Sequence, residues 1–264
     1  MNQTMPHMNP LPPKIPLINH LEELRTTLIR ALIAVGIASS ICLFFSKELY
    51  FLLVRPLTQV LPQNASIIVT HPIEAWMVYF KAGLIAGCFL SLPYLFILVW
   101  KFAAPGLYTK EKRIVLPLAS SFGVLFVLGA SFGYFVIFPI GFEALVGFLK
   151  DSPIRFFPTM ENVFSFSVWM LIAFGLVFEV PLLVIGLIGS GLVSYQKLAS
   201  MRKYNIVIAL TIGGILTPSV DPLSQILMAI PLLILFEIGM AVSWILIKIK
   251  LRTGKVPGTA RLNV

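Results

Sequence analysis

The sequence predicts an all-α integral membrane protein with six transmembrane helices. Of its 264 residues, 58% are hydrophobic and only 12% are charged, whereas a soluble domain carries about twice that charged fraction. Most of the apolar residues gather in runs that are long enough to cross a bilayer, which takes about 20 residues. We therefore divide the chain into an N-terminal tail (residues 1–17), a six-helix membrane domain (residues 18–247) and a basic C-terminal tail (residues 248–264).

The sequence of residues 1–45 predicts a tail, an interfacial helix and the first span. The tail holds five prolines and no apolar core, so we expect a disordered segment and not a cleavable signal peptide. Ile18–Arg30 carries leucines at spacings of three and four, which predicts an amphipathic helix at the membrane surface, with Asn19 as its N-cap. The first span, Leu28–Phe45, follows this helix.

The second and third spans are predicted on either side of a short polar loop. A loop with three prolines, Ser46–Ala75, leads to span two, Trp76–Phe102, in which Pro93 predicts a kink. The polar loop Lys101–Arg113 then leads to span three, Ile114–Phe138, which we expect to end at Pro139. A second large loop, Gly141–Asn162, follows.

The last three spans include one that is too short. Span four is predicted at Val163–Leu192 and, after the polar link Ser194–Lys203, span five at Tyr204–Leu216. Span five supplies about 20 Å of helix at ~1.5 Å per residue, less than the ~30 Å hydrocarbon core. Span six is predicted at Ser224–Ile247, interrupted by Pro231. We therefore expect spans five and six to be short or kinked.

The basic residues predict the orientation of the chain. The N-terminal edge, the loop Lys101–Arg113, the link Ser194–Lys203 and the C-terminal tail hold three, four, three and five of the twenty Lys and Arg residues, and the two opposite loops hold four. Because positive charge accumulates in cytoplasmic loops, we expect both termini in the cytoplasm and the protein in the cytoplasmic membrane.

The sequence offers no catalytic, metal or cofactor motif. Its three histidines fall in the tail, the interfacial helix and an outer loop, and no phosphate-binding glycine loop is present. The two cysteines, Cys42 and Cys88, lie within apolar runs, so we expect them to be small buried hydrophobic residues. We therefore expect no enzyme activity, no cofactor and no metal site.

Two kinds of polar residue remain to be explained. Glu179, Glu237 and Gln225 fall inside predicted spans, where polar groups are costly and usually functional, although hydrogen bonds between helices would also explain them. Glu23 and Glu111 fall at the cytoplasmic ends of spans. Each could accept a bidentate guanidinium bond, which lysine cannot offer, although Glu111 could equally pair with Lys110 or Arg113 beside it.

At these residues the sequence resembles the family of TatC, the multi-spanning subunit of the twin-arginine translocase. The resemblance covers about Leu17 to Ser243 and is carried by seven motifs in the family's order. They are HLEELR at His20–Arg25, HPIEAWMVYFK at His71–Lys81, APGLYTKEKR at Ala104–Arg113, GASFGYFVIFP at Gly129–Pro139, FGLVFEVP at Phe174–Pro181, RKYNIV at Arg202–Val207, and LTP followed by SQILMAIPLLILFEIG between Leu216 and Gly239.

The resemblance implies a receptor that binds twin-arginine signal peptides of folded precursor proteins. It also implies export driven by the proton motive force together with single-span partner subunits, within a complex that contains several copies of the chain. Residues implied in signal-peptide binding are Glu23, Glu111, Arg25, Phe102, Pro105, Leu107, Tyr108 and Arg113. Residues implied in intramembrane or partner contacts are Glu179, Thr217, Gln225, Tyr134 and Pro56. Glu179 is expected to face a hollow of the bundle.

The sequence departs from the family at two places, and two other functions stay open. Lys112 stands where the family commonly has an arginine, and the turn TPSVDP is one residue longer than usual, which leaves the role of Asp221 open. A proton-coupled solute transporter would be expected to show inverted repeats, which the sequence lacks. A purely structural scaffold would leave Glu23 and Glu111 without a role.

Overall fold

The fold is an all-α bundle, taken from a computed structural model that describes residues 17–62, 65–103, 109–147, 157–217 and 222–252, with side chains at 21–62, 65–102, 121–147, 157–217 and 222–249. The helices of this part of the chain are α1 (Leu17–Phe44), α2 (Ser46–Val60), α3 (Glu74–Ala103), α4 (Thr109–Phe132), a π-helical turn (Gly133–Ile137), α5 (Phe138–Gly147), α6 (Met160–Val177), α7 (Val180–Gly189), α8 (Tyr195–Ser200), α9 (Arg202–Leu216) and α10 (Pro222–Arg252).

The six predicted spans are confirmed, five as long stretches and one as a short helix. Within the described residues, five helical stretches are long and apolar enough to cross a membrane: Leu21–Phe44, Glu74–Phe102, Ser121–Gly147, Met160–Gly189 and Pro222–Ile249. The sixth, α9, has 15 residues, as its short apolar run predicted. Span six is not short, because α10 has 31 residues with Pro231 in its interior.

Two predicted boundaries at the N-terminal half are wrong. The interfacial helix is not separate from span one, because α1 runs without a break from Leu17 to Phe44, and no Gly or Pro stands where the two were expected to divide. The loop Ser46–Ala75 contains a helix, α2, which continues through Pro56. Its buried face (Tyr50, Val54, Pro56 and Leu57) packs on the bundle.

The predicted boundaries of spans three and four also need correction. Span three does not end at Pro139, because the chain passes through the π-helical turn into α5, which reaches Gly147. The first part of the predicted loop Gly141–Asn162 is therefore helical. Span four divides into α6 and α7 at Phe178 and Glu179, just before Pro181, because proline cannot donate the next intrahelical hydrogen bond.

Helix contacts define the two ends of the bundle. Ser39 of α1 packs on Gly87 of α3 and Leu43 on Gly83, so these helices are antiparallel. A Cβ at Gly87 would lie 2.3 Å from Ser39 Cα, so only glycine permits this approach. We call the end at which α1 begins and α10 ends the terminal end. The other end, formed by α2, α5 and residues 65–73, is the capped end.

A network of hydrogen bonds ties the helices together at the capped end. The Glu74 carboxylate accepts bonds from Thr70 N at 2.6 Å, Thr70 Oγ1 at 2.7 Å, His71 N at 3.3 Å and Glu161 N at 3.0 Å. It therefore joins the first turns of α3 and α6, where helix dipoles favour negative charge. Lys81 of α3 pairs with Glu161 of α6 at 2.7 Å, which adds an ion pair between the same two helices.

Candidate functional site

A pocket of about 430 Å³ lies at the terminal end between α1 and α3. Its lining residues are Glu22, Glu23, Thr26, Thr27, Arg30, Leu98, Lys101 and Phe102. The antiparallel pairing of α1 with α3 places Glu23 near the last turn of α3, because each step along one helix is a step back along the other. The pocket therefore combines two carboxylates, two cations and an aromatic ring where α3 ends.

Glu23 is available to a ligand in this pocket. The side chain is partly exposed, and the described part of the chain offers it no ion pair. Glu22, the other acid of the pocket, is exposed, and its backbone carbonyl accepts a bond from Thr26 Oγ1 at 2.9 Å. Arg25 is exposed on α1 but does not line the pocket.

The other residues predicted for signal-peptide binding lie at or beyond the edge of the described structure. Phe102 lines the pocket. Glu111 and Arg113 belong to the first turns of α4, but their side chains lie outside the described residues. Pro105, Leu107 and Tyr108 lie wholly outside them. The backbone thus places Glu111 on the helix that follows the α3 wall of the pocket.

A second, mostly apolar hollow of about 900 Å³ opens beside α2 and α3. It brings together Pro56 and Tyr134, which are far apart in the sequence. The Tyr134 hydroxyl donates a hydrogen bond to Leu52 O at 2.5 Å, and Pro56 is buried within α2. The hollow is also lined by the polar residues Arg55 and Gln59. Its lining is therefore mostly hydrophobic with a small polar part.

Glu179 is buried at the break between α6 and α7. It is 5% exposed, and neither carboxylate oxygen has a hydrogen-bond partner among the described residues. The residues that line the apolar hollow do not include it. An unpartnered carboxyl group inside a bundle is costly, and the described residues supply no hydrogen-bond partner for it.

Of the two predicted partner residues near span five, Gln225 joins α10 to α9, whereas Thr217 caps the end of α9. The Gln225 side chain donates from Nε2 to Leu210 O at 2.9 Å, and buried Thr217 donates from Oγ1 to Gly213 O at 2.9 Å. Asp221, in the altered turn, lies outside the described residues. Glu237 is not isolated in its span, because it pairs with Arg202 of α9 at 2.7 Å.

The sequence indicated Arg202 as a charge of the polar link and as the start of the motif RKYNIV, but its pairing with Glu237 was not predicted. The signal was present, because Arg202 and Glu237 lie at almost equal distances from the turn that joins α9 to α10. The acceptor role of Glu74, which sits in the first turn of a span but bonds to a loop and to a second helix, was not predicted either.

Comparison with known proteins gives one consistent result. Residues 19–231 match the family model described as Sec-independent protein translocase protein (TatC). The chain is 43% identical over 226 residues to the Sec-independent protein translocase protein TatC of Desulforapulum autotrophicum, covering 86% of this chain and 83% of the relative. It is 37% identical to the protein of that name from Escherichia coli strain K12, covering 85% and 86%.

The fold matches solved structures equally well. A crystal structure of the twin arginine translocase receptor TatC has a TM-score of 0.71 and 36% identity, covering 86% of this chain and 98% of that one. A second, of the same receptor in DDM, has a TM-score of 0.72 and 36% identity, covering 85% and 99%.

Proposed function

The chain belongs to the TatC family of Sec-independent protein translocase proteins, and we propose that it is the subunit that binds the paired arginines of twin-arginine signal peptides. As a family member it is a multi-pass inner-membrane component of a protein translocase and not a catalytic enzyme. The proposal concerns which residues bind which ligand, and it places the terminal end in the cytoplasm, where precursor proteins are made.

One observation carries the proposal: Glu23 stands in a pocket without an ion-pair partner in the described chain. Charged surface side chains are normally solvated or paired, and a carboxylate in a cleft beside an aromatic ring is suited to a guanidinium group. The second acid, Glu111, follows on α4 after the short connection from α3. Two carboxylates on neighbouring helices would match two consecutive arginines, one for each.

The test is binding of the purified chain to a synthetic Arg-Arg signal peptide and to its Lys-Lys counterpart. Each hydrogen-bonded charge pair contributes about 1.5–3 kcal/mol, so Glu23→Ala and Glu111→Ala should each weaken Arg-Arg binding by roughly 10- to 100-fold. The Lys-Lys peptide should bind weakly to the unaltered chain. Glu143→Ala, which removes an exposed acid at the capped end, is the matched control.

The outcomes separate recognition from general electrostatics. Equal weakening by Glu143→Ala would reduce the effect to net charge. Unchanged binding in both Glu23→Ala and Glu111→Ala would move recognition of the arginine pair away from this pocket and overturn the proposal.

For partner subunits we propose contacts at Glu179 and at the α9–α10 pair. The unpartnered carboxyl of Glu179 supports this, because a polar residue of a single-span partner would supply the missing hydrogen bond. Thr217 and Gln225 lie on the α9–α10 pair, whose surface carries exposed Ile206, Val207 and Ile215. Glu179→Ala should lower cross-linking to the partner and export together, and unchanged values of both would remove Glu179 from the interface.

A further inference from the structure

The charged pair of α9 and α10 lies at an unusual place in the bundle. Arg202 Nη2 and Glu237 Oε2 are 2.7 Å apart, and their side chains are 47% and 49% exposed. Glu237 is the middle residue of α10, whereas Arg202 is the first residue of α9. The pair is therefore at the start of one helix and halfway along the other.

The contacts between α9 and α10 fix their relative positions. Gly213 lies against Gln225 and Met228, the Gln225 side chain bonds to Leu210, and Arg202 bonds to Glu237. These pairs follow one antiparallel register, in which α9 runs beside only the first half of α10. The second half of α10 continues toward the terminal end without α9.

Further helix contacts give the depth of the pair. Gly239 of α10 lies against Pro181 and Val184 of α7, and Gly123 of α4 lies against Pro93 of α3. Gly129 of α4 packs on Phe174 and Phe178, and both Gly123 and Pro181 lie about 5–10 Å from this contact toward the terminal end at ~1.5 Å per residue. The contacts of Gly123 with Pro93 and of Gly239 with Pro181 are therefore at about the same depth, and Glu237 is two residues from Gly239. From Pro93 to Phe102, at the terminal end of α3, the helix rises about 14 Å at ~1.5 Å per residue.

From Lys81, in the capped-end ion pair, to Phe102 the helix α3 covers about 30 Å at ~1.5 Å per residue, which equals the thickness of a hydrocarbon core. The pair lies about halfway along this length. A half-exposed guanidinium and carboxylate facing hydrocarbon would be strongly unfavourable, and bilayers respond to such groups by thinning or by admitting water and head groups.

The chemistry around the pair is suited to an anion. Lys203 follows Arg202 and is exposed, with its Nζ 4.9 Å from the centre of the Tyr204 ring. Glu237 is the only carboxylate in ion-pair contact with Arg202 among the described residues, and Lys203 makes no ion pair with any of them, so two neighbouring cations share one paired acid. Exposed Ile206 on α9 and Ile238 on α10 flank the charges and would contact acyl chains.

We propose that Arg202 and Lys203 bind the phosphate of a phospholipid from the terminal-end leaflet, at about the middle of the bilayer. The guanidinium can hold Glu237 with one edge and a phosphate with its remaining N–H groups. The leaflet then dips beside the second half of α10, where the exposed polar residues Gln196, Lys197 and Ser200 of the link helix α8 replace hydrocarbon-facing side chains.

The first test measures lipid retention. The full chain, purified without other subunits from bilayers that contain phosphatidylglycerol, is examined by native mass spectrometry. The double variant Arg202→Gln/Lys203→Gln should retain at least tenfold less of this lipid than the unaltered chain. The matched control Lys47→Gln/Arg55→Gln, which removes one exposed lysine and one exposed arginine from α2 at the capped end, should retain within twofold of it. Equal losses in both variants, or no loss in the first, would overturn the proposal.

The second test measures depth in the unaltered site and does not depend on a variant of Arg202 that folds. In a background with Cys42→Ala and Cys88→Ala, single cysteines are placed at Ala241, one turn beyond Glu237, and at Ile97, an exposed residue at a similar depth on α3. In phosphatidylglycerol vesicles, a charged maleimide should label Ala241→Cys at least tenfold faster than Ile97→Cys.

Equal, slow labelling at both positions would mean that hydrocarbon covers the pair, and the proposal would fail. It would also fail if the purified chain retains no lipid and Ala241→Cys becomes shielded only when a single-span subunit is added. In that case the occupant would be a partner helix and not a phospholipid.

Discussion

The two ends of the bundle treat their charged residues in opposite ways. At the capped end, Glu74, Lys81 and Glu161 bond to one another's helices, and the backbones of Ile68 and Met160 add a further link (Met160 N to Ile68 O, 2.9 Å). At the terminal end, Glu23 has no ion-pair partner within the described residues and stands in a pocket. The charges of this capped-end network hold the fold together, whereas the Glu23 carboxylate at the terminal end makes no ion pair within the described residues.

This difference shows that hydrogen bonding, and not position in the sequence, separates acids that stabilise the fold from acids that can bind a ligand. All these carboxylates look alike in the sequence, each close to the end of an apolar run. A carboxylate that accepts several N–H bonds is part of the fold, because its removal leaves donors without acceptors. A carboxylate in a cleft without a bond contributes little to folding, so its removal should change binding and not stability.

The largest expected effect is at the terminal end. Glu23→Gln keeps the shape of the side chain and removes the charge, so the Arg-Arg peptide should bind roughly 10- to 100-fold more weakly. The melting temperature of the chain in detergent should stay within about 1 °C, because surface changes away from buried networks alter stability little. A large fall in melting temperature would show that Glu23 belongs to the fold after all.

The opposite result is expected at the capped end. Glu74→Gln replaces an acceptor of four hydrogen bonds with a weaker one, and it should lower the melting temperature by several degrees while the peptide affinity stays within about twofold. Glu48→Gln, an exposed acid in the first turn of α2, is the control. A peptide affinity that falls with the melting temperature would mean that the two ends are coupled.

A smaller effect is expected from reversing the capped-end ion pair. Lys81→Glu and Glu161→Lys should each destabilise the chain, and the double variant should regain part of the loss. Both side chains are more than a third exposed, so the coupling energy should be about 0.2–1 kcal/mol. Unfolding measured by denaturant would give this value, and strictly additive losses would show that the pair does not interact.

The smallest effect is expected at Tyr50 of α2. Its hydroxyl is buried without a hydrogen-bond partner in the described structure, and burial, with lesser contributions from Tyr79 and Glu74, raises the pKa of Tyr50 to about 12. Tyr50→Phe should therefore leave stability unchanged or raise it by up to ~1 kcal/mol, with no pH dependence below pH 10. A clear loss in thermal unfolding would reveal a bond made by this hydroxyl, and Tyr79→Phe serves as the comparison.

The sequence by itself determined the class of the protein, its six membrane segments and the short fifth span. These follow from composition and from the lengths of apolar runs, because a bilayer has a fixed thickness and each residue of a helix adds a fixed rise. The sequence could not show that helices continue through Pro56 and Pro139. A proline costs its helix one hydrogen bond, and only the packing of Tyr50, Val54 and Phe138 against the bundle, where all three are buried, outweighs that cost.

Only the tertiary structure decided which charges meet. Lys81 and Glu161, or Arg202 and Glu237, are separated by many residues, and their pairing depends on the register in which helices cross. That register is set by close contacts such as Ser39 on Gly87 and Pro181 on Gly239, which a pattern of apolar residues does not contain. The sequence therefore indicated acidic residues near the ends of spans and inside them. The packing of the helices determined which of these acids stabilise the fold and which remain open to a ligand.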